Sequence, residues 1–387
     1  MVSGLTRDVA VVGIGYSPIG RDTGLDVRAL TLAACRTAIA DAGLAATDVD
    51  GIVEYQFGQG DAPMATVTQR MLGIPNLQMY NDLMGSAPSG LGGAMDAAMA
   101  VASGVCETVL AYRCITRRAG HTGAVRPPST EAPGPLQFHL PYGYGGGIIP
   151  AMGMRKQRRI AELGGSYEDY GQIALSARRW AALNERAVLR QPLTMDDYLS
   201  SRPVADPLLV LDCDYPVDGA CAVVLTTRER AADLPHRTVL VDSLAYGTGG
   251  EPDWLYGTDF LFGGTRPCAE RLWSRASVGP ADVDVAQLYD GFTHITISWV
   301  EALGLCGIGE FHDWVGDGSR IGPGGDLPLN THGGQLAEGR LHGLAFLAEA
   351  VAQLRGECGA RQVDGADVAV VANAHGPQSG AMVLVGA

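Results

Sequence analysis

Residues 281–289 read A-D-V-D-V-A-Q-L-Y, and 234 residues earlier residues 47–55 read T-D-V-D-G-I-V-E-Y. In each copy an Asp-Val-Asp turn leads into an apolar run that closes on a tyrosine, the pattern of a buried strand entered from a loop. Two further pairs fall in the same order. The apolar run 9–14 returns as 238–243, and 218–226 (D-G-A-C-A-V-V-L-T) is answered by 379–385 (S-G-A-M-V-L-V), each a small-residue turn before an apolar strand. Three co-ordered matches mark a chain built twice from one β-α-β unit. Such a chain places its ligand between the halves, where loops from the carboxyl ends of the strands converge.

Working outward, β-branched runs alternate with alanine-rich helical patterns: strand 9–14, helix 27–42 ended by Gly43, strand 51–55, helix 89–103 closed by Gly104, and strand 108–112. The fold class is α/β, and the pattern predicts parallel strands covered on both faces. Small residues nearly all round helix 89–103 predict burial between layers. The first half spans 1–235 and the second 236–387. Within the first, 115–214 is an insertion too long for a passive connection and reads as a lid or substrate-shaping region. Its segment F-H-L-P-Y-G-Y-G-G-G supplies His139, Tyr142 and Tyr144 as candidate pocket walls.

The 387 residues are 47% hydrophobic and 18% charged, enough to bury a large core. A net charge of −14 argues against nucleic-acid partners, which require clustered cations. Two basic runs, 113–118 and 155–159, read as solvated faces, with a phosphorylated cofactor tail as the alternative. Eight cysteines show no C-x-x-C pair and no metal spacing, so they read as reduced thiols and no metal site is expected. There is no basic segment and apolar run at the N-terminus and no membrane-length apolar stretch, so a soluble, cytoplasmic protein is expected.

The densest group of titratable residues is L-N-T-H-G-G-Q-L-A-E-G-R-L-H-G at 329–343, which puts His332, Arg340 and His342 on a glycine-rich stretch beside a helix start. Glycine lets backbone approach a ligand closely, and loops on a rigid scaffold are where catalytic groups concentrate.

Taken together, the duplicated unit, the helix start at 86–90, the D-G-A-C-A-V-V-L segment, L-Y-D-G-F-T and the 329–343 loop resemble the thiolase superfamily, closest to its sterol-carrier-protein-type, lipid-transfer branch. The resemblance covers roughly residues 8–385. It implies a five-layered αβαβα fold of two similar halves, commonly dimeric, that handles acyl-CoA thioesters. The departures redirect the chemistry. Where the family carries its nucleophilic cysteine this chain reads Ser86-Ala87-Pro88-Ser89-Gly90; where a G-H-P histidine is expected it has Gly339-Arg340-Leu341; and 372–380 (A-N-A-H-G-P-Q-S-G) lacks the second cysteine. Claisen chemistry through an acyl-cysteine needs a thiolate, so it does not carry over.

Members of this branch without the cysteines act as aldolases that shorten steroid or related side chains, working with a small partner protein that carries an OB-fold and a zinc ribbon. The resemblance therefore implies a retro-aldolase acting on a bulky β-hydroxyacyl-CoA, with CoA entering as part of the substrate and no tightly bound cofactor. A homodimer joined to that partner in a heterotetramer-like complex is expected. Retro-aldol cleavage needs a proton-transfer group and an oxyanion site.

Tyr289 occupies the family's N-E-A-F-like position and is the candidate base, or the acid in reverse. Arg340 is expected to tune it: a cation about 4 Å away at an effective dielectric near 20 contributes up to about 4 kcal/mol, enough to draw a phenol toward neutrality. His332 and His342 are further catalytic donors. Asp290, Tyr246, Ser86, Ser89 and His375 are candidate substrate contacts. His294 and Trp299 read as core or dimer contacts, Asp218-Gly219 as a tight turn, and Asp212 and Asp214 are assigned no chemistry. Two alternatives compete with the lyase: an acyltransferase using Ser86 or Ser89 at the helix start, where backbone N–H groups favour negative charge, and a non-catalytic acyl-CoA or lipid carrier.

Overall fold

The computed structural model describes residues 7–56, 62–84, 88–116, 148–249, 259–374 and 378–387. The elements run β1 (Val9–Tyr16), α1 (Val27–Asp41), β2 (Gly51–Gln56), α2 (Ala65–Leu72), β3 (Met79–Met84), α3 (Ser89–Ala102) and β4 (Thr108–Ile115). Next come α4 (Ile148–Leu163), α5 (Tyr167–Ala182), α6 (Met195–Leu199), β5 (Pro203–Ala205), β6 (Leu208–Leu209), β7 (Gly219–Thr227) and α7 (Arg228–Ala231). The remainder is β8 (Val239–Thr248), α8 (Thr265–Trp273), β9 (Val285–Leu288), α9 (Thr293–Ala302), α10 (Phe311–Val315), α11 (Gly334–Ala337), α12 (Leu344–Arg355), β10 (Val368–Ala374) and β11 (Gln378–Gly386).

Among the described residues the main sheet has nine strands in the order β3-β2-β4-β7-β1-β8-β11-β10-β9. The duplication is visible in it. Read from the outside inward, β2-β4-β7-β1 is matched by β9-β10-β11-β8, and corresponding pairs run in the same sense: β2 with β4 and β9 with β10 parallel, the other pairs antiparallel. The expectation of parallel strands holds for β3-β2-β4 and β10-β9 but not for the strands between them. The runs 218–226 and 379–385 fold back as antiparallel strands, and they are buried on both faces because helices cover them, not because they are parallel.

The two runs of strands meet through a single residue pair, Ala10 with Leu240. Between them lie α3 and α12, each touching strands of both runs, while α1 covers β1, β7 and β4 from outside and α8 covers β8 and β11. These are the five layers. Eleven of the fourteen α3 residues and all twelve of α12 are buried, as the small-residue composition of α3 predicts for a helix between two sheets.

The repeated Asp-Val-Asp motif has a structural job in each half. Asp48 Oδ2 accepts from Ala45 N–H and Asp282 Oδ2 from Gly279 N–H, both at 2.8 Å, closing a turn before the strand. Asp50 accepts from Thr108 N–H at 2.8 Å and Asp284 from Val368 N–H at 2.9 Å, tying each strand to its parallel neighbour. Asp218 forms no tight turn; its backbone pairs with Gly20 as an isolated antiparallel bridge. No helix among the described residues is long and apolar enough to cross a membrane, and all eight cysteines are free thiols.

Candidate active site

Leu288 ends β9, and the chain turns through Tyr289, Asp290 and Gly291 into α9. Tyr289 N–H donates to Ala372 O at 2.9 Å, which holds the tyrosine at the carboxyl end of the β9–β10 pair. On the other flank, Asn330 Oδ1 accepts from Leu288 N–H at 2.7 Å and its Nδ2 donates to Leu288 O at 2.8 Å. Leu329 forms a parallel bridge with Ala286. The 329–343 loop thus begins beside β9, in the place that β3 takes beside β2. Its first helical turn, α11, caps the Asp290 carboxylate, with Gln335 N–H at 2.8 Å and Leu336 N–H at 3.5 Å. Gly334 makes that contact possible: its φ is +59°, and an added Cβ would lie 1.8 Å from Asp290 Oδ2.

Farther along the loop, Arg340 N–H donates to Tyr215 O at 2.9 Å. Its guanidinium meets Asp214 (Nε to Oδ2, 3.0 Å) and donates from Nη2 to His342 Nε2 at 3.0 Å. Arginine only donates, so His342 Nε2 is an acceptor in this arrangement. The His342 ring lies 6.4 Å from that of Tyr289 and 5.9 Å from that of Tyr55. His342 has φ +61°, and its carbonyl accepts Gly90 N–H at 2.9 Å, which joins the loop to the start of α3 beside Ser89, itself at φ +53°. Such strained backbone at non-glycine residues is a mark of functional sites.

Tyr55 and Asp214 are the members of this cluster that reading the sequence missed. Tyr55 is the repeat partner of Tyr289, so the duplication itself was the signal. Asp214 arrives from the end of the insertion: its N–H donates to Gly291 O at 3.1 Å, and Tyr215 N–H donates to Gln335 O at 2.9 Å. That stretch of chain is stitched between the 289–291 turn and the 329–343 loop.

The electrostatics correct one expectation. Burial drives the Tyr289 phenol well above its ordinary value; Arg340 pulls it down, but Asp214 and Tyr55 push it up again, and the net shift is upward. Asp214 competes with the phenol for the guanidinium charge, and Tyr289 is protonated at rest. Asp290, fully buried, is raised to about 7 by desolvation despite its backbone N–H donors. Burial would lower Arg340, yet Asp214 and Tyr289 outweigh it and raise its pKa.

His332 is not in this cluster. Its ring packs edge-on against Phe346 at 5.1 Å, and Phe346 in turn separates it from Tyr289. Its Nε2 lies 3.8 Å from Glu338, and burial lowers its pKa. Tyr246 donates to Asp96 on α3 at 2.7 Å and to Gly92 O at 3.2 Å, away from the contacts of Tyr289. Ser86, His139, Tyr142, Tyr144 and His375 lie outside the described residues. His294 and Trp299 are buried, and Trp299 Nε1 donates to Ala374 O at 2.7 Å.

In the basic run 155–159 only Gln157 and Arg158 are solvated, and the other three cations are neither a solvated face nor a phosphate site. Arg155, Lys156 and Arg159 are buried: Lys156 Nζ pairs with Asp212 at 2.7 Å, Arg159 with Glu301, and Arg155 donates to Phe260 O at 2.9 Å. Arg113 is also buried, its guanidinium 5.4 Å from the Tyr55 ring centre. No group of three or more His, Cys, Asp or Glu suited to a metal occurs among the described residues.

The chain is 36% identical over 367 residues to 17-hydroxy-3-oxo-4-pregnene-20-carboxyl-CoA lyase of Mycobacterium tuberculosis, covering 91% of this chain and 92% of that protein. The chain belongs to the thiolase superfamily, in its aldolase-like, lipid-transfer branch. It is also 34% identical over 392 residues to the steroid side-chain-cleaving aldolase of Thermomonospora curvata, covering 98% of each. Residues 255–386 match the thiolase C-terminal domain-like family. Among solved structures, one described as the Ltp2-ChsH2(DUF35) aldolase superposes with a TM-score of 0.90 at 32% identity, covering 99% of both chains. Human mitochondrial 3-ketoacyl-CoA thiolase in complex with CoA superposes with a TM-score of 0.69 at 16% identity and shares the fold.

In this thiolase-superfamily chain no cysteine lies among the described residues 289–292 and 329–343. Cys213, next to Asp214, donates to Leu209 O at 3.5 Å, and burial drives its thiol far up, the opposite of what a nucleophile needs.

Proposed function

We infer that the protein is a carbon–carbon lyase that cleaves a β-hydroxyacyl-CoA by a retro-aldol reaction. The observation that carries this reading is the convergence of Tyr289, Arg340 and His342 in a thioester-handling fold whose catalytic loops contain no thiol. In the reaction the β-hydroxyl proton leaves, its oxygen becomes a carbonyl, and the Cα–Cβ bond breaks with its electron pair moving onto the thioester as an enolate. Cα then takes a proton, giving a shorter acyl-CoA and a ketone or aldehyde. No redox partner is needed. Ionised Tyr289 accepts the first proton and returns one to Cα, and because the resting phenol is protonated, the rate depends on Arg340 drawing it down. His342 and Arg340 donate toward oxygen. His332, behind Phe346, acts by holding the loop. CoA enters with the substrate, and no further cofactor takes part.

The substrate is a bulky lipid, a steroid or related ring system bearing a short side chain, in line with the two relatives named as acting on such compounds. The 115–214 insertion shapes that pocket, with the halves 1–235 and 236–387 closing on it. The protein works in the cytoplasm as a homodimer bound to an OB-fold, zinc-ribbon partner. Support for the dimer comes from β3, an edge strand with Tyr80 61% and Met84 54% exposed, the kind of edge a second sheet covers. Support for the partner comes from the similar aldolase structure, described with a DUF35 protein.

The test is to offer β-hydroxyacyl-CoAs of different ring systems, with and without the zinc-ribbon protein, and to follow release of short acyl-CoA. Cleavage without a covalent intermediate is expected. An acyl adduct on the protein by intact mass would establish the acyltransferase reading instead, and tight binding without turnover in the full complex the carrier reading.

A further inference from the structure

The side chain of Asn373 takes no part in that reaction, yet it lies against Gly343, the residue after His342. It follows Ala372, whose carbonyl receives Tyr289 N–H, near the end of β10. Asn373 is fully buried. Its Oδ1 accepts from Ala374 N–H at 2.9 Å, while Nδ2 has no acceptor among the described residues. A buried amide N–H without a partner is costly, and a catalytic role is among the explanations for one.

Asn373 Nδ2 packs against the backbone of Gly343, in the place a side chain there would occupy. Gly343 has φ +104°, and an added Cβ would lie 1.5 Å from Asn373 Nδ2. Directly beyond it begins α12, twelve residues long. The first-turn N–H groups of a helix lack intrahelical acceptors, and the helix dipole makes that end positive. An unpartnered buried donor and a positive helix end therefore lie together at the residue after His342, which suits an anionic oxygen.

We propose that Asn373 is an oxyanion donor, its Nδ2–H hydrogen-bonding the thioester oxygen as that oxygen takes up the enolate charge. The proposal rests on the lyase reading. When Cα–Cβ breaks, the electron pair becomes the enolate, Asn373 donates a hydrogen bond without transferring its proton, and the charge is discharged when Cα is protonated.

Two variants separate this role from a structural one. Asn373→Ala removes donor and acceptor; Asn373→Asp keeps the acceptor for Ala374 N–H and replaces the donor with negative charge. At pH 8, with the partner present, the Ala variant should lose about 10²-fold in kcat with a smaller change in KM, and the Asp variant should lose more. If the side chain only braces Ala374, the order reverses and Asp outperforms Ala. Wild-type kcat in the Ala variant, or that reversed order, overturns the proposal while leaving the lyase reading intact.

A binding measurement independent of turnover uses S-carboxymethyl-CoA, an analogue of a CoA enolate, against neutral acetyl-CoA. Asn373→Ala should weaken the carboxylate analogue at least about tenfold and leave acetyl-CoA within about twofold. Equal effects on both ligands, or none on either, overturn it. If wild type binds with this discrimination but cleaves no β-hydroxyacyl-CoA, the lyase reading fails and the anion site stands.

Discussion

Arg340 Nε stands 3.0 Å from Asp214 Oδ2, and this pairing decides how much of the guanidinium charge reaches Tyr289. Asp214 raises the phenol directly and also competes for the cation that lowers it. Asp214→Asn should therefore move the ionisation of Tyr289 downward. With ionised Tyr289 as the proposed base, kcat/KM of the wild type should rise with pH through the alkaline range, and in the variant that rise should begin at lower pH. A pH–rate profile whose rising limb stays put would remove Asp214 from the tuning of this site.

Tyr289→Phe keeps the ring packing against His342 and Phe346 and removes only the hydroxyl. Loss of a positioned proton-transfer group costs about 10²–10⁴ in rate. Steady-state kinetics at saturating substrate should show a kcat fall in that range with an unchanged melting temperature. Unaltered kcat would mean another group moves the proton.

Gly334→Ala tests the backbone that caps Asp290. The new Cβ would meet the carboxylate at 1.8 Å in a left-handed conformation, so either α11 shifts or the carboxylate loses its N–H donors. A destabilisation of about 2–3 kcal/mol by denaturant unfolding is expected, the range for combined backbone strain and a disrupted buried contact. A change below about 0.5 kcal/mol would show that the loop yields freely.

Asp290 makes stability depend on pH. Its folded value is raised to about 7, against about 4 for an unfolded carboxyl. The folded state binds the proton more tightly, so this contribution is fully present below pH ~4 and is lost as pH rises through about 7. Asp290→Asn, which cannot ionise, should flatten the decline of unfolding free energy across that window. An identical slope in wild type and variant would place the titration elsewhere.

Lys156 and Asp212 are both fully buried, and Asp212 also accepts from Tyr198 Oη at 2.7 Å. Lys156→Met leaves an unpaired carboxylate in the core and should destabilise by about 3–5 kcal/mol, while adding Asp212→Asn should recover much of the loss. Melting curves of the single and double variants check this. Additive losses would mean that the two charges do not depend on each other.

The contrast between the basic run 155–159 and the repeat 281–289 shows where sequence reading works. Asp282 and Asp284 act on backbone groups of their own turn and of the neighbouring strand, so their spacing carries their role. Lys156 and Arg159 look like a solvated face by composition, and only the acids brought to them from positions 212 and 301 make their burial possible. The antiparallel sense of β7 and β11 was hidden for a related reason: helices on both sides make any strand look uniformly apolar.

By itself the sequence determined the doubled β-α-β plan and the buried small-residue helix α3, because turn-closing aspartates, strand patterning and helix-ending glycines act over a few residues. Only the tertiary structure decided which of the candidates meet. It set His332 behind Phe346, brought Tyr55 and Asp214 to the Arg340–His342 pair, and packed Asn373 against Gly343. It also left the Tyr289 phenol protonated, because a pKa is fixed by excluded water and by charges that are near in space but distant along the chain.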